Sequence, residues 1–384
     1  MQESSFNLHA ESVVSAQILD DTRIDDHDSS GNPIPVTIPI DLAPGVRVTY
    51  TTRLGGISTG SFAQLNLGGK GGDNPRHVLA NRRALSQSLH APLALVSQVH
   101  SGHAIDIDDV WKHNADFGFD ASGTAVHEPA VSSSAVSSSA VSSSSVSSQL
   151  VSSQAVSHGG QRSQSPDSED ISVQGIAGTV IDADGQISEQ SDVALGMFAA
   201  DCLPVLLADP NRHIIAAAHC GRKGLQRGII AATVARMQEH GAQLDNIVAT
   251  LGPCICGDCY EVGDEIAADF DVQFPGAATQ TRFGGKGIDI AKAATMALHD
   301  AGVVRLISSI PRVNAATQYL EHDQELADLC SVDGEGPVSL AERIADIRHS
   351  LCTLENPLWF SHRRATLAHK SREGRMLALI AQHR

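Results

Sequence analysis

Residues 193–219 read VALGMFAADCLPVLLADPNRHIIAAAH, and this stretch decides the fold. Two apolar runs, 193–208 and 214–219, are separated by the turn Asp209-Pro210-Asn211. Neither run alternates with polar residues, so both are expected as consecutive buried strands covered on each face. A helix is expected over 224–240, because Leu225, Ile229, Ile230, Val234 and Met237 recur at helical spacing and Gly241 follows the end. Beyond it lie a strand at 247–251, ending at Gly252-Pro253, and helices at 263–270 and 290–301.

Toward the N-terminus, the β-branched alternation of residues 46–53 (VRVTYTTR) reads as a strand running into Gly55-Gly56. Residues 75–89 read as a helix with Val78, Leu79, Arg82, Leu85 and Leu89 on one face, and 93–100 as a buried strand. Strands and helices alternate in no strict βαβ rhythm, which predicts a single α/β domain with a mixed sheet. Compact structure is expected over residues 45–384, with residues 1–44 as an acidic N-terminal tail.

Two segments interrupt this pattern. Residues 131–157 form a drifting five-residue repeat of Ser with isolated Val. Such side chains bury too little surface to offset ordering entropy, so 122–175 is expected as a disordered insertion within the domain. Its partner cannot be named from its composition. Residues 312–347 turn polar around Asp333-Gly334-Glu335-Gly336-Pro337 and read as a second insertion with one amphipathic stretch at 340–347.

The net charge of −17 excludes a generally basic binder of nucleic acid or membrane surfaces. Most of it is local: residues 1–30 hold seven acids and one base, and 165–192 seven acids and no base. Residues 359–384 reverse the balance with six bases and one acid, which suits a small anionic ligand. No stretch reaches the roughly 20 apolar residues needed to span a bilayer, and no leader pattern opens the chain. Seven Cys, an odd number in a chain this long, read as free thiols or metal ligands, so a cytoplasmic location is expected.

His100 and His219 each end a predicted strand, and Cys202 lies in Ala200-Asp201-Cys202-Leu203-Pro204. Meeting at one sheet rim, two imidazoles and a thiolate would form an open zinc site with its fourth position free for water or substrate. Taken singly, a Cys in an apolar strand is most often a small core residue, and a His at a strand end a hydrogen-bonded one. Spacing alone leaves both readings open.

The words around these residues add a resemblance. Thr51-Thr52-Arg53-Leu54-Gly55-Gly56-Ile57-Ser58, Leu65-Asn66-Leu67-Gly68, Gln98-Val99-His100, Ala200-Asp201-Cys202-Leu203-Pro204, Gly252-Pro253-Cys254-Ile255 with Tyr260-Glu261-Val262, Cys352-Thr353 and Phe360-Ser361-His362-Arg363-Arg364 occur in this order. Together they resemble the YfiH-like family, which carries laccase-domain and polyphenol oxidase labels and is understood as purine nucleoside phosphorylases with adenosine deaminase side activity. The resemblance runs from about residue 46 to 380, apart from the two insertions. It implies a single layered α/β domain with mixed β-sheets flanked by helices, a fold also seen in a glutamine-deamidating toxin. It also implies His100, Cys202 and His219 as metal ligands and catalytic positions, with Zn2+ as cofactor. Cu2+ suits the same N/S donors. The implied substrates are phosphate and a purine nucleoside: adenosine, inosine or methylthioadenosine.

Phosphate needs cations, and the candidates for phosphate or substrate binding are Arg53, Asn66, Arg222, Lys223, Arg363 and Arg364. The chain departs from the family at His219-Cys220-Gly221-Arg222-Lys223-Gly224, where the family commonly reads His-Ala-Gly-Trp-Arg-Gly. A multicopper oxidase would need paired His ligands, and none of the 18 His forms an H-x-H word. Cys254, Cys256 and Cys259 form C-x-C-x-x-C without a distant matching Cys pair, and read as a glycine turn with adventitious thiols. Two other functions fit the same residues: a Cys-His hydrolase or deamidase with Cys202 as nucleophile, and an interaction protein whose site has decayed.

Overall fold

The computed structural model describes residues 31, 33–111 and 180–383. The predicted tail up to residue 30 and the Ser-rich insertion at 122–175 lie outside the described residues. The strands are β1 (Thr37–Ala43), β2 (Val46–Thr51), β3 (Leu93–Leu95), β4 (Ala104–Asp106), β5 (Gly185–Ser188), β6 (Ala194–Ala199), β7 (Leu203–Asp209), β8 (Ile214–Cys220), β9 (Val248–Leu251), β10 (Ala278–Gln280), β11 (Lys286–Ile288), β12 (Arg305–Leu306) and β13 (Met376–Gln382). The helices are α1 (Pro75–Leu89), α2 (Asp108–Trp111), α3 (Arg222–Gln226), α4 (Ile229–Glu239), α5 (Asp264–Gln273), α6 (Ile290–Asp300), α7 (Ile310–Tyr319), α8 (Gln324–Val332), α9 (Leu340–Ala345) and α10 (His362–Leu367).

Two mixed sheets dominate. One has the order β1-β2-β13-β6-β3, the other β12-β9-β7-β8-β5-β4, while β10 and β11 form a separate pair. The period-two alternation of each strand divides its residues between two apolar layers. Leu195 and Met197 of β6, Leu206 and Ala208 of β7, and Ile215 and Ala217 of β8 share one core between the sheets. Val205, Leu207, Ala216 and Ala218 face the opposite way, against Ile229, Ile230, Val234 and Met237 of α4 and Phe270 of α5. On the outer side of the first sheet, Leu377 and Leu379 of β13 pack with Leu85 of α1. Strands buried on both faces need no polar alternation, which is why β6, β7 and β8 are apolar along nearly their whole length. The expected layered α/β fold with helices flanking mixed sheets is thus observed.

The structure corrects five expectations. Residues 193–208 are not one strand: β6 belongs to the first sheet and β7 to the second, and the chain crosses between them at Ala200-Asp201-Cys202, where Asp201 has φ 105°. The strand expected at 93–100 ends at Leu95, because the chain then leaves the sheet to carry His100 to the rim at φ 59°. Residues 37–43, assigned to the tail, form β1, an edge strand that tolerates Pro39 and buries Ile38 and Leu42. The second insertion, 312–347, holds more than the one amphipathic stretch expected at 340–347: α7, α8 and α9 pass through it and bury Val313, Leu326, Leu329 and Leu340 in the inter-sheet core. The helix expected at 224–240 is likewise divided into α3 and α4, with Gly228 between them in the left-handed region at φ 76°.

Candidate active site

The crossover between the sheets places Cys202 beside the ends of two other segments. His100 arrives on the loop after β3, and His219 is the penultimate residue of β8, paired in register with Pro204. The ligating atoms of His100, Cys202 and His219 all lie within 4.8 Å of one another. Cys202 Sγ is 3.7 Å from His100 Nε2, and the two imidazole rings meet edge to face with centroids 4.8 Å apart. Gly221 makes this convergence sterically feasible: a Cβ there would stand 2.8 Å from Cys202 Sγ and 3.0 Å from His100 Cδ2.

Asp184, at the entry to β5, organises the group. Its carboxylate accepts from the backbone N–H of Val99, His100 and Ser101 at 3.3, 3.0 and 2.5 Å, and from Ser101 Oγ at 2.7 Å. It also meets His219 Nδ1 at 2.8 Å. One carboxylate therefore fixes both the His100 loop and the His219 tautomer, leaving His219 Nε2 for a ligand. Arg227, just after α3, donates to the His100 carbonyl. Asp201, the strained neighbour of Cys202, accepts from Thr353 Oγ1 and Ser361 Oγ, each at 2.7 Å, and from Arg363 N at 2.6 Å. Left-handed backbone at non-glycine residues costs roughly 1–3 kcal/mol each, and these hydrogen bonds hold it in place.

The charges of the group are interdependent. Burial would raise the Cys202 thiol, but the His219 charge and the hydrogen bond with His100 bring it down to about 6. Burial would lower His219, but the Cys202 charge and Asp184 raise it to about 9. Asp184, despite its burial, is held at about 2 by His219 and Ser101. The Cys202 thiolate is the form a metal ion demands, and a metal binding here would displace the Nε2 proton that the thiolate and Asp184 favour on His219. Donor set, convergence and the carboxylate behind His219 all fit a bound divalent metal. Copper chemistry of the multicopper kind requires more imidazoles than the two this group contains.

The predicted phosphate candidates separate into two sets. Arg222 lies at the start of α3, donating to Gln226 Oε1 at 2.9 Å, and Lys223 beside it is exposed. Arg363 stacks on Tyr260, with Cζ 5.6 Å from the ring centre, and donates to Glu261 O at 2.8 Å. Tyr260 is raised above its usual 10 by burial and by the Cys202 charge, with Arg222 and Arg363 pulling the other way, so these groups share a neighbourhood. Arg53, Asn66 and Arg364 are instead turned inward. Arg53 is 1% exposed and pairs with Asp333 at 3.2 Å. Arg364 pairs with Glu335 at 2.9 Å. Asn66 donates to Asp73 Oδ2 at 2.9 Å and accepts from the backbone of Gly68 and Arg375. These inward pairings set the three apart from Arg222, Lys223 and Arg363.

Sequence reasoning missed Asp184, which is hidden in an acidic run yet 0% exposed. Its one signal is the position just before a glycine-led strand. Tyr260 was visible only as part of a family word.

A family model described as multi-copper polyphenol oxidoreductase laccase matches residues 47–163 and 137–319. A purine nucleoside phosphorylase of Streptomyces coelicolor is 30% identical over 266 residues, which cover 68% of this chain and 84% of that protein. One of Deinococcus radiodurans is 31% identical over 268 residues, covering 69% and 80%. An adenosine deaminase from an unknown prokaryotic organism is 34% identical over 109 residues, 28% of this chain and 39% of its own length. Among solved structures, Bacillus licheniformis YfiH superposes with a TM-score of 0.59 at 21% identity, covering 91% of this chain and 97% of that one. Geobacillus stearothermophilus YlmD gives 0.56 at 23%, covering 88% and 93%. The two structures speak to the fold, and the family match, spanning well over half of the sequence, establishes that this chain belongs to the YfiH family of laccase-domain proteins.

Proposed function

We propose that the protein is a zinc-dependent purine nucleoside phosphorylase with adenosine deaminase side activity, acting in the cytoplasm. The observation that carries this reading is the convergence of His100, Cys202 and His219 at one rim, in a chain about 30% identical to proteins named purine nucleoside phosphorylases. His100 Nε2, Cys202 Sγ and His219 Nε2 would hold the zinc ion. Bound there, zinc supplies Lewis acidity beside the substrate and, for deamination, acidifies water.

In phosphorolysis a phosphate oxygen forms a bond to C1′ as the bond from C1′ to the purine nitrogen breaks. The electron pair leaves with the base, which takes up the proton that the attacking phosphate gives up, so that free base and ribose 1-phosphate balance nucleoside and hydrogen phosphate. The chain's own groups serve the two ends of this exchange. Arg222, Lys223 and Arg363 supply positive charge for the phosphate, with guanidinium geometry suited to two oxygens at once. The Tyr260 hydroxyl, kept protonated at neutral pH, offers a hydrogen bond to the charge that develops on the base. Asp184 holds His219 and His100 in place while this happens.

Chromatography of adenosine incubated with the protein, with and without phosphate, tests the reading. Adenine is expected only when phosphate is present, and Cys202→Ala should abolish its release while circular dichroism stays unchanged. Identical products in both mixtures would defeat it. A second reading, a Cys-His hydrolase, is favoured by the lowered Cys202 thiol beside a raised His219. Zinc in stoichiometric amount on Cys202 argues against it, since the metal occupies the nucleophile.

A further inference from the structure

Away from the His/Cys/His group, a second set of donors converges in the interior. Cys256, Cys259, Cys352 and Glu355 each offer one atom, and these atoms all lie within 4.8 Å of one another. The set consists of two pairs of identical spacing, Cys256-x-x-Cys259 and Cys352-x-x-Glu355, joined across 96 positions of sequence. Sequence reading set Cys256 and Cys259 aside for want of a second pair. The fold supplies it, because the segment around Cys352 bridges in parallel to Cys254.

The details are those of a holder and not of incidental core thiols. Cys259, Cys352 and Glu355 are buried, with the Glu355 side chain 0% exposed. Glu355 Oε2 is pinned by the backbone N–H of Arg348 and His349 at 3.0 and 2.8 Å. Its other oxygen is thereby aimed at the sulfurs: Oε1 lies 3.2 Å from Cys259 Sγ and 4.0 Å from Cys256 Sγ. Ligands on a tetrahedral zinc, with Zn–S bonds of about 2.3 Å, stand roughly 3.5–3.8 Å apart, so the spacing here brackets what zinc needs. Cys256 N–H points at Cys352 Sγ from 3.4 Å, a contact that stabilises a thiolate. Arg282, 3.3 Å from Glu355 Oε1, offsets part of the negative charge. Buried structural cysteines ordinarily sit singly among apolar groups. Three around a fully desolvated, backbone-pinned carboxylate form a site.

We propose that Cys256, Cys259, Cys352 and Glu355 bind a structural zinc ion distinct from the His100/Cys202/His219 group. With four protein donors and three of them buried, the site is closed and has no position for substrate. Binding deprotonates the three thiols and releases their protons to solvent. The ion would staple the loop after β9 to the segment before α10. Both segments support the active rim: Ile255 N donates to Asp201 O at 3.0 Å, and Thr353 Oγ1 to the Asp201 carboxylate.

Elemental analysis of the full-length Cys202→Ala protein, purified without chelator, tests this. That substitution removes a ligand from the first group only. One zinc per chain is expected to remain, and adding Cys256→Ser, at the half-buried ligand, should abolish it. A folded Cys202→Ala protein holding no zinc would overturn the proposal, as would zinc that survives Cys256→Ser. Cobalt loading of the Cys202→Ala protein needs no second substitution. Strong thiolate-to-cobalt charge-transfer absorption is expected there, and its absence also overturns the proposal.

Discussion

Asp184 joins two of the segments that build the rim, since it receives the His100 loop from one side and the His219 ring from the other. Replacing it with Asn keeps the shape but gives the His219 nitrogen an amide in place of a carboxylate, so the imidazole loses both its charge partner and its fixed tautomer. Carboxylates behind metal-bound histidines are worth about 10–100-fold in metal affinity or activity. Asp184→Asn should therefore lower kcat/KM and zinc retention by about that factor, and it should also lower the melting temperature, because both carboxylate oxygens accept hydrogen bonds and an amide nitrogen on either side would face donors. Unchanged zinc and unchanged turnover would show that Asp184 has no such role. His100, Cys202 and His219 were legible in the sequence through the order of their surrounding words. Their joint geometry was not, since it depends on φ values of 59° and 105° at His100 and Asp201, where no glycine announces a turn. The inward pairings of Arg53 and Arg364 were not legible either, because a motif marks a residue without saying which partner it meets.

At the scale of elements, α7, α8 and α9 close over a buried charge network. Asp333, in the segment between α8 and α9, meets Arg53 at 3.2 Å and Arg343 at 2.6 Å, while Glu335 meets Arg364 at 2.9 Å and Lys370 at 2.7 Å. These partners explain why residues 312–347 read as a polar insertion: their acids look solvated in sequence, yet they neutralise arginines brought from both ends of the domain. By contrast α1 was legible to its ends, because Asn74 caps it, Pro75 opens it and Val78, Arg82 and Leu85 repeat on one face. Removing one partner of a buried pair leaves an uncompensated charge and costs about 3–5 kcal/mol. Asp333→Asn should lose stability on that order in urea unfolding at neutral pH. Burial raises both carboxyls, but the arginines outweigh it and hold Asp333 and Glu335 below their ordinary values of 3.8 and 4.5. A depressed carboxyl contributes stability above its unfolded pKa, and that contribution is lost as pH falls through the folded value. The gap between wild type and Asp333→Asn should accordingly narrow below about pH 4. A gap that stays constant down to pH 2 would contradict the assignment.

For the whole molecule, the residues that build the sheets and the rim come from both sides of the Ser-rich stretch. Ser97 exchanges backbone hydrogen bonds with Ile181 and Ala183 at 2.9 and 3.1 Å, so the chain beyond the insertion is tied directly to the segment bearing His100. Loop length adds only about 0.6 kcal/mol per doubling, so replacing residues 122–175 with a short Gly-Ser linker should preserve the melting temperature and turnover. Loss of folding in that variant would show that the insertion is part of the domain core. Among the described residues no helix is long and apolar enough to cross a membrane. Whether the rim built by both sheets transfers ribose from a purine to phosphate is decided by phosphorus NMR of the zinc-loaded protein with adenosine and inorganic phosphate. A ribose 1-phosphate resonance should grow as the phosphate resonance declines, and Cys202→Ala should leave both unchanged. Consumption of adenosine with the phosphate signal intact and no new phosphorus resonance would contradict the account.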